Sequence, residues 1–458
     1  MAINDNAQVA GWNWFYTQKK VGYRYSLYDE VTYDPDAENG ITPPVATNGY
    51  GINNLGHVVG YKEESQSPYS PEAFRWIDGD SDGVWESNEV TMLGTLGTAS
   101  THVSEAWDIN DYGIIVGGSD TNGTDGQGNP IQRGFRWNNG TMVALGTLGG
   151  YRSWAHAIDE HTGTNEEIVG MADTDLNSRF HGVFHACIWN NNTQPVDLGV
   201  LVDDGISDNL ALSMAWDVNS YGHSVGYSEA SQYALIGDRE FDWRGFFHDG
   251  TDMESLVPLS GYERSAAYGI NESDQVVGSS FQVVGSGPFY GGIGAPFTDP
   301  VGTDDAHACL WEEDQGVWTV QDLNDSSLVG AASNWVLHNG MGINESGEIT
   351  GWGSFDFGGV QNEICGFILT SYAMGDMNFD GVCNGLDIPG FTTALSDADA
   401  WQASTGLDPH TIADFNGDGV LNGLDLPAFK DEISGAAVPE PSTLFLLGIV
   451  TLFIRRRH

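Results

Sequence analysis

One short stretch, rewritten along most of the chain, limits what this sequence can fold into. GINNLGHVVGY at 51–61 returns as DINDYGIIVGG (108–118), DVNSYGHSVGYS (217–228), GINESDQVVGSS (269–280) and GINESGEITGWG (342–353). An opening copy, AINDNAQVAGW, begins at Ala2, and a looser one, AIDEHTGTNEEIVGM, runs over 157–171. The spacing of about fifty to seventy residues is that of propeller blades. In each copy an apolar, β-branched run ends in Ile-Asn or Val-Asn (Ile-Asp in the looser one), two polar residues follow, and a second apolar run ends in Gly. The Asn side chain starts a tight turn, and Gly in most copies supplies the positive φ that closes it, so the unit reads as strand, turn, strand. Asp274 stands at that Gly position and tolerates the left-handed conformation.

A third strand follows each hairpin: GYRYS from Gly22, AFRW at Ala73, GFRW at Gly134, HACIW at His185, GFFHD at Gly245, HACLW at His307 and GFILT at Gly366. MLGTLG (92–97), ALGTLGG (144–150), DLGVL (197–201) and SLVPL (255–259) read as fourth strands, and the last copy lacks one. Four strands per copy, repeated radially, make an all-β propeller of about seven four-stranded blades, with the third-strand aromatics packed between them. Cys187 and Cys309 replace Phe74 and Phe135 of other copies and read as inert core thiols; with four cysteines the chain has no disulfide framework.

Taken together, LGTLGG, Ala-x-x-Ile-Asn-x-x-Gly-x-Val-Val-Gly and His-Ala-x-x-Trp resemble the HAF repeat of bacterial extracellular proteins, over residues 2 to about 370. The resemblance implies a secreted or surface β-propeller and no particular reaction. The first copy starts at Met1, which raises the expectation of residues upstream, including a signal peptide and a closing strand.

Charge narrows the partners. With 64 acidic and 16 basic residues the formal net charge is -48, a field that repels phosphate backbones and disfavours nucleic acid. One loop concentrates acid: in DGDSDGVWESNE (78–89), Asp78, Asp80, Asp82 and Glu89 fall at the spacing D-x-D-x-D-G-x5-E, so alternate carboxylates can converge on one Ca2+ with Gly83 at the sharp turn. No helices flank it, and a solvated acidic loop is the alternative.

After Thr370 the pattern changes. GDMNFDGVCNGLDIPGF from Gly375 recurs as ADFNGDGVLNGLDLPAF from Ala413. Asp376, Asn378, Asp380, Asn384 and Asp387 in the first copy, and Asp414, Asn416, Asp418, Asn422 and Asp425 in the second, place oxygen ligands at alternating positions; Val382 and Val420 offer backbone carbonyls. Pro389 and Pro427 suit the first turn of a following helix, and Phe391 with Leu395, and Phe429 with Ile433, have helical spacing. The pair resembles a type I dockerin, which implies a small α-helical, calcium-folded module over 372–435 that binds a cohesin. Gly385-Leu386 and Gly423-Leu424 stand where the family selects its partner and depart from a hydroxyl pair, so the partner is a cohesin-like or other surface protein.

The chain ends in VPEPSTLFLLGIVTLFIRRRH. Its apolar run, 444–454, would span only about 16 Å as helix, short of a bilayer core of roughly 30 Å. Pro439-Glu440-Pro441, the apolar run and Arg455 to Arg457 resemble the PEP-CTERM sorting signal, which implies exosortase recognition, transient inner-membrane anchoring and delivery to the cell surface or matrix. The organisation is therefore propeller (1–371), calcium-loop module (372–435) and sorting segment (436–458). Two functions fit: a non-catalytic surface or matrix binding protein, with extracellular polysaccharide among its ligands, or an exported polysaccharide lyase or glycosidase. No nucleophile elbow, phosphate loop or zinc spacing appears, and His185 and His307 are repeat positions, which favours binding.

Overall fold

The computed structural model describes the chain apart from residues 16–18, 27–31, 34–46, 64–70, 81–87, 100, 126–127, 163–165, 176–182, 191–193, 202–210, 231–242, 283–305, 326–334, 356–362, 373, 379–382, 406–408, 418, 434–445 and 452–458. It is an all-β propeller of four-stranded antiparallel sheets followed by a small helical module.

Each repeat makes one blade. Its strands run in order from the axis outward: β1 to β4 (Ala2–Ile3, Gln8–Phe15, Lys19–Ser26, Thr32–Tyr33), β5 to β8 (Thr47–Ile52, Val58–Glu63, Pro71–Trp76, Val90–Met92) and β9 to β12 (Ser104–Ile109, Ile115–Thr124, Pro130–Asn138, Thr141–Ala144). The next three are β13 to β16 (Gly149–Ile158, Glu167–Thr174, Phe184–Asn190, Val196–Gly199), β17 to β20 (Ser213–Val218, Ser224–Glu229, Trp243–His248, Met253–Leu256) and β21 to β24 (Arg264–Ile270, Val276–Phe281, His307–Asp314, Val317–Asp322). Six sheets thus come from continuous stretches. The seventh, β25 to β27 (Trp335–Ile343, Ile349–Phe355, Glu363–Tyr372), takes its outer strand, β28 (Leu446–Thr451), from the sorting segment, paired from Phe367↔Thr451 to Tyr372↔Leu446. The expectation that the last copy lacks a fourth strand is corrected; against about seven expected blades, six are complete in continuous sequence and β28 completes the seventh sheet.

The hairpin chemistry is as read from the repeat. Gly56, Gly113, Gly222 and Gly347 hold φ of 76°, 74°, 79° and 77°, and Asp274 takes 58° at the same turn position. A second repeated Gly serves close approach: a Cβ at Gly170 would sit 2.0 Å from the Trp154 carbonyl oxygen across the hairpin. The fourth strands are displaced from the expectation. LGTLG lies beyond the strand, in the connection to the next blade, and the strands proper end at Met92 and Ala144. β24 carries no such motif and was absent from the sequence reading.

The core lies between blades. Phe74, Phe135, Phe246 and Phe367 are almost wholly buried on the third strands, with Cys187 and Cys309 in the equivalent places, buried and reduced. Burial pushes the Cys309 thiol up to about 12, which keeps it protonated and unreactive. Across the axis, Tyr50, Trp107, His156 and Trp216 form a continuous aromatic layer, with His156 stacked on Trp216 at 4.3 Å.

The C-terminal module has helices α1 (Ile388–Ser396), α2 (Ala398–Thr405), α3 (His410–Ala413) and α4 (Leu426–Ile433). Pro389 and Pro427 each sit at the second helical position, where no intrahelical N–H is lost. Phe391 stacks on Phe429 at 3.9 Å, and Trp401, Ile412, Leu395 and Ile433 complete a core shared by both halves. Among the described residues no helix is long and apolar enough to cross a membrane.

Candidate calcium loops and the axial clasp

The two C-terminal loops are built alike. In the first, Asp387 is fully buried at the start of α1; its Oδ1 accepts from Met377 N (2.7 Å) and Asn378 N (3.0 Å), and its Oδ2 accepts from Asn384 N (2.7 Å). In the second, Asp425 is fully buried at the start of α4, and its oxygens accept from Asn416 N (3.2 Å) and Asn422 N (2.8 Å). Asp414 Oδ1 and Oδ2 accept from Gly417 N (2.9 Å) and Gly419 N (2.7 Å), which folds that loop back on its first residue. Asn384 and Asn422 each cap the turn ahead, accepting from Leu386 N and Leu424 N at 2.8 Å. Asn422 Nδ2 also donates to the Val420 carbonyl at 2.8 Å. Asp376 is fully buried. Asp380, Val382 and Asp418 lie outside the described residues.

A cation fits this donor set. Asp387 and Asp425, with no exposed surface, would each carry a heavy desolvation penalty if left with N–H partners alone. Every other side chain read as a ligand supplies oxygen, the hard donor that Ca2+ takes.

In the propeller, the loop between β7 and β8 brings Asp78, Asp80 and Glu89 together, with one oxygen of each within 4.8 Å of the others. Glu89 Oε1 accepts from Gly79 N (2.7 Å) and Oε2 from Trp76 Nε1 (3.1 Å), so its orientation is set from both sides. Asp82 lies outside the described residues.

The repeat itself holds a constellation that motif reading missed. At one end of the ring the Asn of each turn accepts its own turn's N–H groups and donates to the next blade. Asn110 Oδ1 accepts from Tyr112 N and Ile114 N, while its Nδ2 donates to the carbonyls of Asp159 and His161 at 3.0 Å. Asn4, Asn53, Asn219, Asn271 and Asn344 donate likewise to the turn carbonyls of Asn53, Asn110, Asn271, Asn344 and Asn4, the last bond closing the ring at 3.0 Å. One residue on, Asn54, Asp111, Glu160, Glu272, Glu345 and Asp5 accept a backbone N–H from the preceding turn. Aligning the copies on Ile-Asn shows that mostly acidic column; what it does for a neighbouring blade needs the three-dimensional ring.

These clasps gather carboxylates. Burial, with the charges of Asp111, Asp108 and Asp159, pushes Glu160 up to about 8 against its bond from Asp111 N. Asp108 and Asp217, which accept from Ile158 N and Ile270 N at 2.9 Å, are raised by burial to about 6 and about 8. His185 and His307 are held by fourth-strand carboxylates, Asp197 at 2.9 Å and Asp322 at 2.7 Å, and are therefore structural.

The model of the PEP-CTERM protein-sorting motif matches residues 437–457, which implies export with exosortase processing and membrane-associated sorting. No curated protein matches the chain. Among solved structures it is similar to TolB from Acinetobacter baumannii (13% identity over 56% of this chain and 50% of that one, TM-score 0.29). It is also similar to an acylaminoacyl peptidase (12%, 82% and 50%, TM-score 0.40) and to the polysaccharide lyase Uly1 (6%, 79% and 86%, TM-score 0.42). The chain spans about half the length of the first two. Such scores support nothing about activity.

Proposed function

We propose that this exported propeller is a cell-surface or matrix binding protein whose C-terminal module, related to type I dockerins, docks a cohesin-like or other surface protein through calcium. The observation that carries the proposal is the duplicated loop. Asp376, Asp387 and Asp425 are wholly buried, and among the described residues Asp387 and Asp425 accept from backbone N–H groups. Asp376, Asn378, Asp380, Asn384, Asp387 and the Val382 carbonyl would hold one Ca2+; Asp414, Asn416, Asp418, Asn422, Asp425 and the Val420 carbonyl would hold the other. The ion supplies charge neutralisation, which lets two half-loops close over one small core.

The same duplication offers a docking face. Leu386 and Leu424 are each 68% exposed, and Ile388 and Leu426 stand beside them, so two equivalent apolar ridges flank the loops. On the propeller, Asp78, Asp80, Asp82 and Glu89 would take a third Ca2+, and propeller loops would meet extracellular polysaccharide.

Calorimetry on the calcium-stripped full chain tests the reading. Two equivalents are expected from the module and a third from the propeller loop; Asp387→Ala and Asp425→Ala should each remove one. Absence of heat together with an unchanged circular dichroism spectrum would overturn it.

A further inference from the structure

The seventh sheet is closed differently from the other six. In those, the outer strand follows its neighbour directly along the chain, at the widest from Trp76 to Val90. β27 instead ends at Tyr372, and its partner β28 begins at Leu446, beyond the helical module. Six residue pairs join the two strands in antiparallel register, from Phe367↔Thr451 to Tyr372↔Leu446. All of β28 lies within residues 437–457, the stretch that matches the sorting motif. One segment therefore carries two assignments, an outer strand of the propeller and a signal for membrane-associated sorting.

The two cannot be met at once. In hydrocarbon a single segment must satisfy its own backbone N–H and C=O groups, so an apolar run enters a bilayer as helix and not as a lone strand. A residue cannot be extended against β27 and helical in lipid at the same time. Nor can the same six residues pair with β27 and lie in the site of a processing enzyme. β27, by contrast, is anchored without its outer partner. Phe367 and Leu369 share a buried cluster with Val277, Leu310 and Leu337, and Ile368 packs with Val9 of the first sheet. The acceptor edge can thus persist while its occupant comes and goes.

We infer that β28 is an autoinhibitory strand: paired with β27, the sorting segment is withheld from the bilayer and the exosortase, and it becomes available only when it leaves the propeller edge. The edge of β27 is a docking site whose occupant is this chain's own sorting segment. Main-chain bonds hold it there, which an extended segment can make whatever its side chains. Processing then waits on the fraction of molecules in which β28 is undocked. The device is independent of the calcium loops.

Hydrogen exchange by mass spectrometry on the wild-type full chain tests the docked state: residues 446–451 should exchange at least about tenfold more slowly than an unstructured chain. The double variant Ser371→Cys, Leu447→Cys, a pair that faces in register, tests the consequence. In membranes that process the wild-type chain, the oxidised variant should be processed at least about tenfold more slowly than the same protein after reduction. The wild-type chain and each single variant should be indifferent to the reductant, which separates the lock from any effect of Cys365 or Cys383. Exchange of 446–451 at unstructured rates in the wild-type chain overturns the inference, whether or not the disulfide forms. Equal processing of the oxidised and reduced double variant overturns it as well.

Discussion

At the scale of single residues, the repeated Asn carries more of the structure than its exposed turn suggests. Asn110 is fully buried, accepts two N–H groups of its own turn and donates to two carbonyls of the next blade. Replacing it with Ala removes the partner of one buried and one part-buried N–H group and of two carbonyls at once, a loss of about 2–4 kcal/mol where one orphaned group already costs about 1–3. Asn110→Ala should therefore lower the midpoint of thermal unfolding clearly. Asn110→Asp keeps the acceptor and loses the donor, so it should fall between the two. A variant as stable as wild type would mean that the clasp contributes nothing beyond the turn. Asp159 is nature's version of that substitution, and His161 at 2.7 Å occupies the carboxylate that has no amide to offer.

At the scale of elements, the proposed calcium loops make the pairing of the C-terminal helices a test of the reading. α1 and α4 share one core, centred on Phe391 and Phe429, and each begins where a buried Asp gathers its loop. Chelation should remove hydrogen-exchange protection from 388–396 and 426–433 by more than tenfold and leave 108–118 unchanged; protection retained in excess chelator would show that the core suffices alone. The two helices were legible in the sequence because helical spacing is local. So were the hairpins, since Asn and Gly at fixed offsets dictate the turn. The fourth strands were not. β12 and β16 are mostly exposed, short and without clean alternation, so the conspicuous LGTLG beside them attracted the assignment. β28 could not be read as a strand at all, because its apolar run and arginine flank carry a sorting signature instead. The axial clasps join residues 49 to 73 apart, with the closing bond spanning 340, and no pattern within one copy announces them.

Over the whole molecule, the net charge of -48 meets its strongest internal expression at the clasped end of the ring. Asp108 and Asp217 are raised by burial to about 6 and about 8 from ordinary values near 4, and the more exposed Glu160, with Glu345 and Glu348, is raised in the same direction. A carboxyl whose folded value exceeds its unfolded one stabilises the fold fully below the unfolded value and loses that contribution as pH rises through the folded one. The propeller should therefore weaken steadily between about pH 4.5 and 8. His156 works the other way: burial between Trp107 and Trp216 lowers it to about 4, so its contribution is present above 6.5 and is lost as pH falls toward 4. The two trends place the stability maximum in mild acid. Thermal unfolding followed by calorimetry should give a midpoint on the order of 5 °C higher at pH 5.5 than at pH 8.5, measured with calcium held constant so that the loops do not contribute. Glu160→Gln removes one of the titrating groups while keeping an oxygen to accept from Asp111 N, and it should flatten the profile on the alkaline side. A midpoint that rises toward pH 8.5 in the wild-type chain would show that the axial carboxylates are ionised and compensated in the folded ring, and that the clasps bind blades through charge rather than despite it.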